Sequence, residues 1–176
     1  AGRRGADRAR TSGGMTRAYV GIGSNIEPER HVRAAVAALR ERYGPLLISP
    51  VYASAAFGFE GDEFYNLVVA LETEQGLPEL ANTLARIERE QGRPDGSQRF
   101  APRTLDLDIL TFGDTVADAP RRIPRDEITY YAFVLRPLAD IAPDERHPAL
   151  GARYAELWQA FDGVGLPLRR VDLELV

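Results

Sequence analysis

From residue 17 onward the apolar positions alternate between short runs and helical stripes. The run at 18–22 predicts a short strand, closed by Gly23-Ser24-Asn25 as a turn. A helix then opens at Pro28, sets Val32, Ala35, Val36 and Leu39 on one face and stops at Gly44-Pro45. Residues 46–53 are β-rich, and Pro50 within them argues for an edge position or a bulge. After a loop at 57–63, residues 66–72 form a nearly continuous apolar run of strand length, which suits a central strand. A second helix at 78–91 carries Leu80, Leu84 and Ile87 as its stripe and ends at Gly92. A long polar loop, 92–103, feeds a strand at 104–112.

The expected order is β-α-β-β-α-β. This predicts an α+β fold with a ferredoxin-like βαββαβ core: one antiparallel sheet with both helices on one face. Beyond residue 113, shorter strands and helices around 128–141 and 154–161 are expected to wrap that core as a C-terminal extension. Fold alone assigns no function, because this architecture serves RNA binders, metal carriers and enzymes alike.

Composition narrows the chemistry. At 176 residues the chain suits one domain, expected over 15–176. No apolar run approaches the roughly 20 residues of a membrane helix. Cysteine is absent, which removes thiolate metal sites and cysteine nucleophiles and fits a cytoplasmic location. Lysine is absent too: all 22 basic residues are arginine, so there is no P-loop or Schiff-base lysine. Any phosphate must be met by arginine and metal. The net charge of −4 gives no overall basic field for nucleic acid. Residues 1–14 hold Arg3, Arg4, Arg8 and Arg10 against Asp7, with little apolar content, and are expected to be a disordered extension. Met15 is the sole methionine and a candidate natural start.

The most informative stretch is 99–110, Arg-Phe-Ala-Pro-Arg-Thr-Leu-Asp-Leu-Asp-Ile-Leu. On a strand, Asp106 and Asp108 share a face with Cβ atoms about 6 to 7 Å apart, while Leu105, Leu107 and Ile109 take the other. Two carboxylates on one face call for a cation between them, and hard oxygen ligands without Cys or a nearby His select Mg²⁺. The plainer reading is a solvated strand face. Arg93, Arg99 and Arg103 in the preceding loop favour the metal. Guanidinium groups beside a carboxylate-held Mg²⁺ are the parts of phosphoryl transfer, and loops of this length are usually functional lids.

This run resembles the signature of the 6-hydroxymethyl-7,8-dihydropterin pyrophosphokinase family. Collinear matches are 19–25 (Tyr-Val-Gly-Ile-Gly-Ser-Asn), Phe64-Tyr65-Asn66 ahead of Ala70-Leu71-Glu72-Thr73, Arg86-Ile87-Glu88, and 133–138 (Phe-Val-Leu-Arg-Pro-Leu) followed by Ile141-Ala142-Pro143. The resemblance covers roughly 16–150. It implies transfer of the β,γ-pyrophosphoryl group of ATP to the pterin hydroxymethyl oxygen, releasing AMP, in folate biosynthesis. It further implies that Asp106 and Asp108 hold two Mg²⁺ ions and that Arg93 and Arg103 neutralise the transferring group. Arg99, Glu88 and Ile109 would help to bind ATP. Phe64 and Phe133 would sandwich the pterin, with Asn66, Asp106 and groups at Ser54, Ala55 and Phe57 reading its polar edge. A flat heteroaromatic ring does need aromatic faces and a few fixed polar groups. The implied partners are ATP and the pterin, with no nucleic acid and no membrane, and the protein a monomer or weak homodimer.

Other motifs are weaker. The glycines at 21 and 23 lack the third glycine of a Rossmann fingerprint, and Ser24 or Asn25 suits a helix cap as well as a ligand contact. His31 and His147 lack metal spacing and read as structural or solvated. The chain departs from the family pattern at four places: Arg125 for the usual histidine, Tyr131 for an arginine near the ATP phosphates, Asp95 for a basic residue and Phe100 for tryptophan. Arg125 is expected to reach the ATP phosphates in place of the arginine missing at 131. The competing readings are a catalytically weak paralogue that binds pterin or ATP, and a ferredoxin-like RNA-binding module. The second expects basic residues and aromatics along the sheet, whereas this chain is acidic.

Overall fold

The computed structural model describes residues 14–55, 62–92 and 105–175. The expectations for residues 1–13 and for Phe57, Arg93, Asp95, Arg99, Phe100 and Arg103 lie outside the described residues.

The chain builds β1 (Thr16–Ser24), α1 (Pro28–Tyr43), β2 (Leu47–Ile48), β3 (Val51–Ser54), β4 (Phe64–Thr73), α2 (Leu77–Glu90) and β5 (Asp106–Phe112). Three helices follow, α3 (Glu127–Tyr130), α4 (Ala132–Ile141) and α5 (Tyr154–Gln159), and then β6 (Arg169–Val171). The strands form one antiparallel sheet in the order β5-β1-β4-β3-β6, with β2 also pairing β4.

Local chemistry explains most boundaries. Pro28 occupies the first turn of α1, where its missing N–H costs nothing, and Gly44 ends the helix at φ 80°, giving its N–H to the Arg40 carbonyl at 2.8 Å. Neither Ser24 nor Asn25 caps α1. The Ser24 hydroxyl bonds the Ile26 carbonyl, Asn25 reaches the Asp62 carbonyl, and Glu27 takes the N-cap place at φ 42°. Buried His31 donates Nδ1–H to the Ile26 carbonyl at 2.6 Å, which makes it structural. His147 is buried as well, its Nδ1 accepting the N–H groups of Ala149 and Leu150.

The β-rich stretch at 46–53 divides at Pro50 into β2 and β3. Ser49 fills the break: its N–H bonds the Val68 carbonyl and its hydroxyl takes the Val68 N–H, both at 2.9 Å. β3 is not the sheet edge, because β6 pairs with it. Sequence reading missed β6, which has only three residues and a single half-buried valine.

Alternation along the strands gives the sheet two different faces. Ala18, Val20 and Ile22 of β1, Leu67, Val69 and Leu71 of β4, and Leu107 and Ile109 of β5 pack beneath α1 and α2. Tyr19, Val68, Ala70 and Leu110 point the other way, under Leu135 and Leu138 of α4 and Tyr154 of α5. The C-terminal helices therefore cover only part of the second face, and the rest opens to ligand.

Candidate active site

The open part of that face is built by register. β1 pairs β5 with Gly21 opposite Asp108 and Gly23 opposite Asp106, so each carboxylate has a neighbour without a side chain. On its other flank Gly23 faces Asn66, and a Cβ at Gly23 would meet the Asn66 Oδ1 at 2.8 Å. Glycine at 23 is what lets the Asn66 amide oxygen lie so close over β1. A bulge where β1 and β5 shift register at Tyr19/Val20 divides the two uses of β5: Leu110 and Thr111 lie on the buried side of it and the aspartates on the open side.

A cleft of about 640 Å³ stands over this floor. Asp106, Asp108, Asn66 and Phe64 line it from the sheet, Ser54 and Ala55 from the end of β3, and Glu88 from the end of α2. Arg125 and Phe133 close it from the C-terminal segment. Ile109 lines it too, although its side chain belongs to the core beneath α1 and α2. The structure thus brings together every described residue that the sequence nominated, from positions more than 70 apart along the chain. Glu88 is also a structural tie, its Oε2 accepting the Leu107 N–H at 3.0 Å between the two aspartates. The Ser54 hydroxyl is buried without a hydrogen-bond partner among the described residues, and a buried hydroxyl left so is a ready site for a ligand's polar edge.

Phe133 sits at the start of α4, and α4 is tied to β3. The Tyr52 hydroxyl donates to Asp140, Arg136 Nε donates to the Tyr52 oxygen at 3.3 Å, and Arg136 pairs with Asp140. The Arg136 guanidinium lies 5.3 Å from the centre of the Trp158 ring. Behind Phe133, Gly165 has φ 100°, and a Cβ there would come within 3.1 Å of the phenyl ring. Tyr131 stacks on Phe133 with ring centres 4.8 Å apart and is buried, so it backs the aromatic wall instead of supplying the positive charge usual at its position.

Electrostatics concentrate at Asp108. Desolvation, followed by repulsion from Asp106, pushes its carboxyl up to about 7, against the opposing pull of Arg125. The Arg125 Nη1 lies 3.6 Å from Asp108 Oδ1, while its Nε and Nη2 fork onto the two oxygens of Glu127 at 3.2 and 3.1 Å. Among the described residues no group of three or more His, Cys, Asp or Glu gathers to cage a metal. Two carboxylates facing an open cleft instead suit Mg²⁺, which binds through one or two carboxylates and keeps the remaining positions for water and phosphate oxygens. Sequence reading missed the roles of Gly21 and Gly23. Glycines at i and i+2 within an apolar strand, taken with the paired aspartates, were the available signal.

A carboxylate pair on the sheet, with aromatic rings and an arginine around it, is the arrangement that metal-assisted group-transfer enzymes use. The profile of the family described as 7,8-dihydro-6-hydroxymethylpterin-pyrophosphokinase matches residues 19–143. The chain belongs to this pterin pyrophosphokinase family. It is 43% identical over 157 residues to the 2-amino-4-hydroxy-6-hydroxymethyldihydropteridine pyrophosphokinase of Pseudomonas aeruginosa, covering 85% of this chain and 96% of that one. The enzyme of the same name from Bacillus subtilis is 32% identical over 156 residues, covering 84% and 93%. Among solved structures, a Plasmodium falciparum HPPK-DHPS chain with pterin and p-hydroxybenzoate superposes with a TM-score of 0.69 at 14% identity, which speaks for the mixed helix and antiparallel-sheet fold. The match covers 87% of this chain but 45% of the Plasmodium chain, so this protein spans less than half of that longer polypeptide.

Proposed function

We propose that this protein transfers the β,γ-pyrophosphoryl group of ATP to the hydroxymethyl oxygen of 6-hydroxymethyl-7,8-dihydropterin, releasing AMP, as a step of folate biosynthesis. The observation that carries this reading is the meeting of Asp106 and Asp108 with Phe64, Asn66 and Phe133 in one cleft. Mg²⁺ at the carboxylate pair, two ions with ATP bound, would neutralise phosphate charge and align the phosphate oxygens.

The chain's own groups do the rest. Phe64 and Phe133 grip the flat pterin, and Asn66 with Ser54, Ala55 and Phe57 satisfies its polar edge. This fixes the hydroxymethyl oxygen over the aspartate floor, where Asp106 also faces the pterin. Holding two reactants in line supplies much of the rate of such a reaction. Arg93 and Arg103 neutralise the transferring group, and Glu88, Arg99, Ile109 and Arg125 hold the nucleotide. Nucleophilic attack falls on the β-phosphorus, so the bond to the α-phosphate oxygen breaks and AMP departs.

We read the core as ferredoxin-like, supported by the β5-β1-β4-β3 order with α1 and α2 packed on one face. Residues 15–176 act as one domain with the C-terminal segment as its cover, in the cytoplasm, as a monomer or weak homodimer. No helix among the described residues is long and apolar enough to cross a membrane. Incubation with ATP, Mg²⁺ and the hydroxymethyl pterin tests the reaction: AMP should form one for one with the pterin diphosphate, and stoichiometric ADP would sink it.

A further inference from the structure

Arg125 touches Asp108 without being anchored by it. Its backbone N–H bonds the Leu110 carbonyl at 3.0 Å, which pins the residue alongside β5, two residues past Asp108. The guanidinium is held by the two-point fork to Glu127, at hydrogen-bonding distances, whereas the 3.6 Å separation from Asp108 makes an ion pair and no hydrogen bond. Parting Arg125 from Asp108 breaks no hydrogen bond, whereas parting it from Glu127 breaks two. Both side chains of the Asp108 pair remain about one-third exposed, so the contact faces the cleft and ligands can compete for it.

We propose that Arg125 is a resident counter-cation of Asp108 which incoming phosphate draws away, so that a divalent ion gains full access to the carboxylate pair only together with nucleotide. The proposal rests on the reading of Asp106 and Asp108 as the metal-holding pair. A unit positive charge a few ångströms from an oxygen ligand repels an arriving dication and occupies one approach to that oxygen. Phosphate offers the planar guanidinium a better partner, since two parallel charge-assisted hydrogen bonds replace one loose contact. Arg125 thereby couples two binding events, and metal without nucleotide is disfavoured. In this role it is a positioning residue, acting on the metal through Asp108.

Titration of the full chain with Mn²⁺ alone at pH 8, reading free Mn²⁺ by electron paramagnetic resonance, decides the matter without any turnover. Arg125→Gln should bind Mn²⁺ about ten- to a hundredfold more tightly than the unmutated protein, while Arg125→Lys, which keeps the charge, should stay within a few fold of it. If Arg125→Gln does not fold, Arg125→Met makes the same comparison with a neutral side chain of similar length that is no ligand for Mn²⁺. Equal affinities in the charged and neutral variants, abolished in each by Asp108→Asn, would overturn the counter-cation role and leave the carboxylate pair standing. No saturable Mn²⁺ binding in any variant, or binding that survives Asp108→Asn, would overturn both.

Discussion

The two faces of the sheet are made by the same strands and differ in nearly every physical respect. Beneath α1 and α2, Ala18, Val20, Ile22, Leu67 and Leu71 are sealed from water within one apolar cluster. One residue along, the opposite face carries Gly21, Gly23, Asn66, Asp106 and Asp108, with a Ser54 hydroxyl that has no partner among the described residues and an aspartate raised by desolvation. The first face supplies stability and the second sacrifices some of it. Burial of apolar area is worth roughly 25 cal/mol per Å², whereas polar groups held out of water without full partners cost free energy until a ligand completes them. The bulge near Leu110 marks where one regime gives way to the other along β5.

Substitutions on each side should separate these contributions. The largest effect belongs to the aspartates: Asp106→Ala or Asp108→Ala should lower turnover by several orders of magnitude while circular dichroism reports an unchanged fold. Near-normal turnover in either variant would mean that the carboxylate pair is not the metal site. On the other face, Leu39→Ala, in a fully buried position of α1 remote from the cleft, should cost about 2–5 kcal/mol of stability in denaturant titrations. The folded fraction of that variant should keep its activity, and a comparable loss of activity per folded molecule would dissolve the distinction between the faces.

A smaller effect is expected at Arg125. On the proposed reading its loss would remove a charge-assisted phosphate contact worth about 1.5–3 kcal/mol, so Arg125→Ala should raise the dissociation constant of a non-hydrolysable ATP analogue roughly ten- to a hundredfold. Pterin affinity, measured by the same calorimetry, should hardly move. The smallest effect concerns pH. Burial, with Asp106 beside it, pushes the Asp108 carboxyl up to about 7 in the folded chain from an ordinary 3.8, so the metal-free fold keeps a proton that the unfolded chain gives up. Its contribution to stability is then fully present below about pH 4 and is lost as pH rises through 7. Thermal melts of the metal-free protein should show Asp108→Asn gaining on the unmutated chain across that window, and parallel curves would refute the assignment.

Much of the scaffold was legible in the residues themselves. Pro28 and Gly44 bound α1 because proline and glycine have fixed conformational consequences, and the apolar stripe of α2 followed from helical spacing. The Asp106–Asp108 pair needed only strand alternation to be placed on one face. The aromatic residues were different. Phe64 and Phe133 each look like core residues in isolation, and only resemblance to a family distinguished them.

What the sequence determined alone is local: element type, the face each side chain takes, and two carboxylates set side by side on one strand face. The fold decided what lies opposite what. Register sets Gly21 and Gly23 against the aspartates, and Asn66 against Gly23 on the other flank. It also turned Tyr131 inward to stack on Phe133 and set Arg125 between Asp108 and Glu127. These are contacts between distant segments, fixed when two hydrophobic layers close on one sheet, and no periodicity in the chain encodes them.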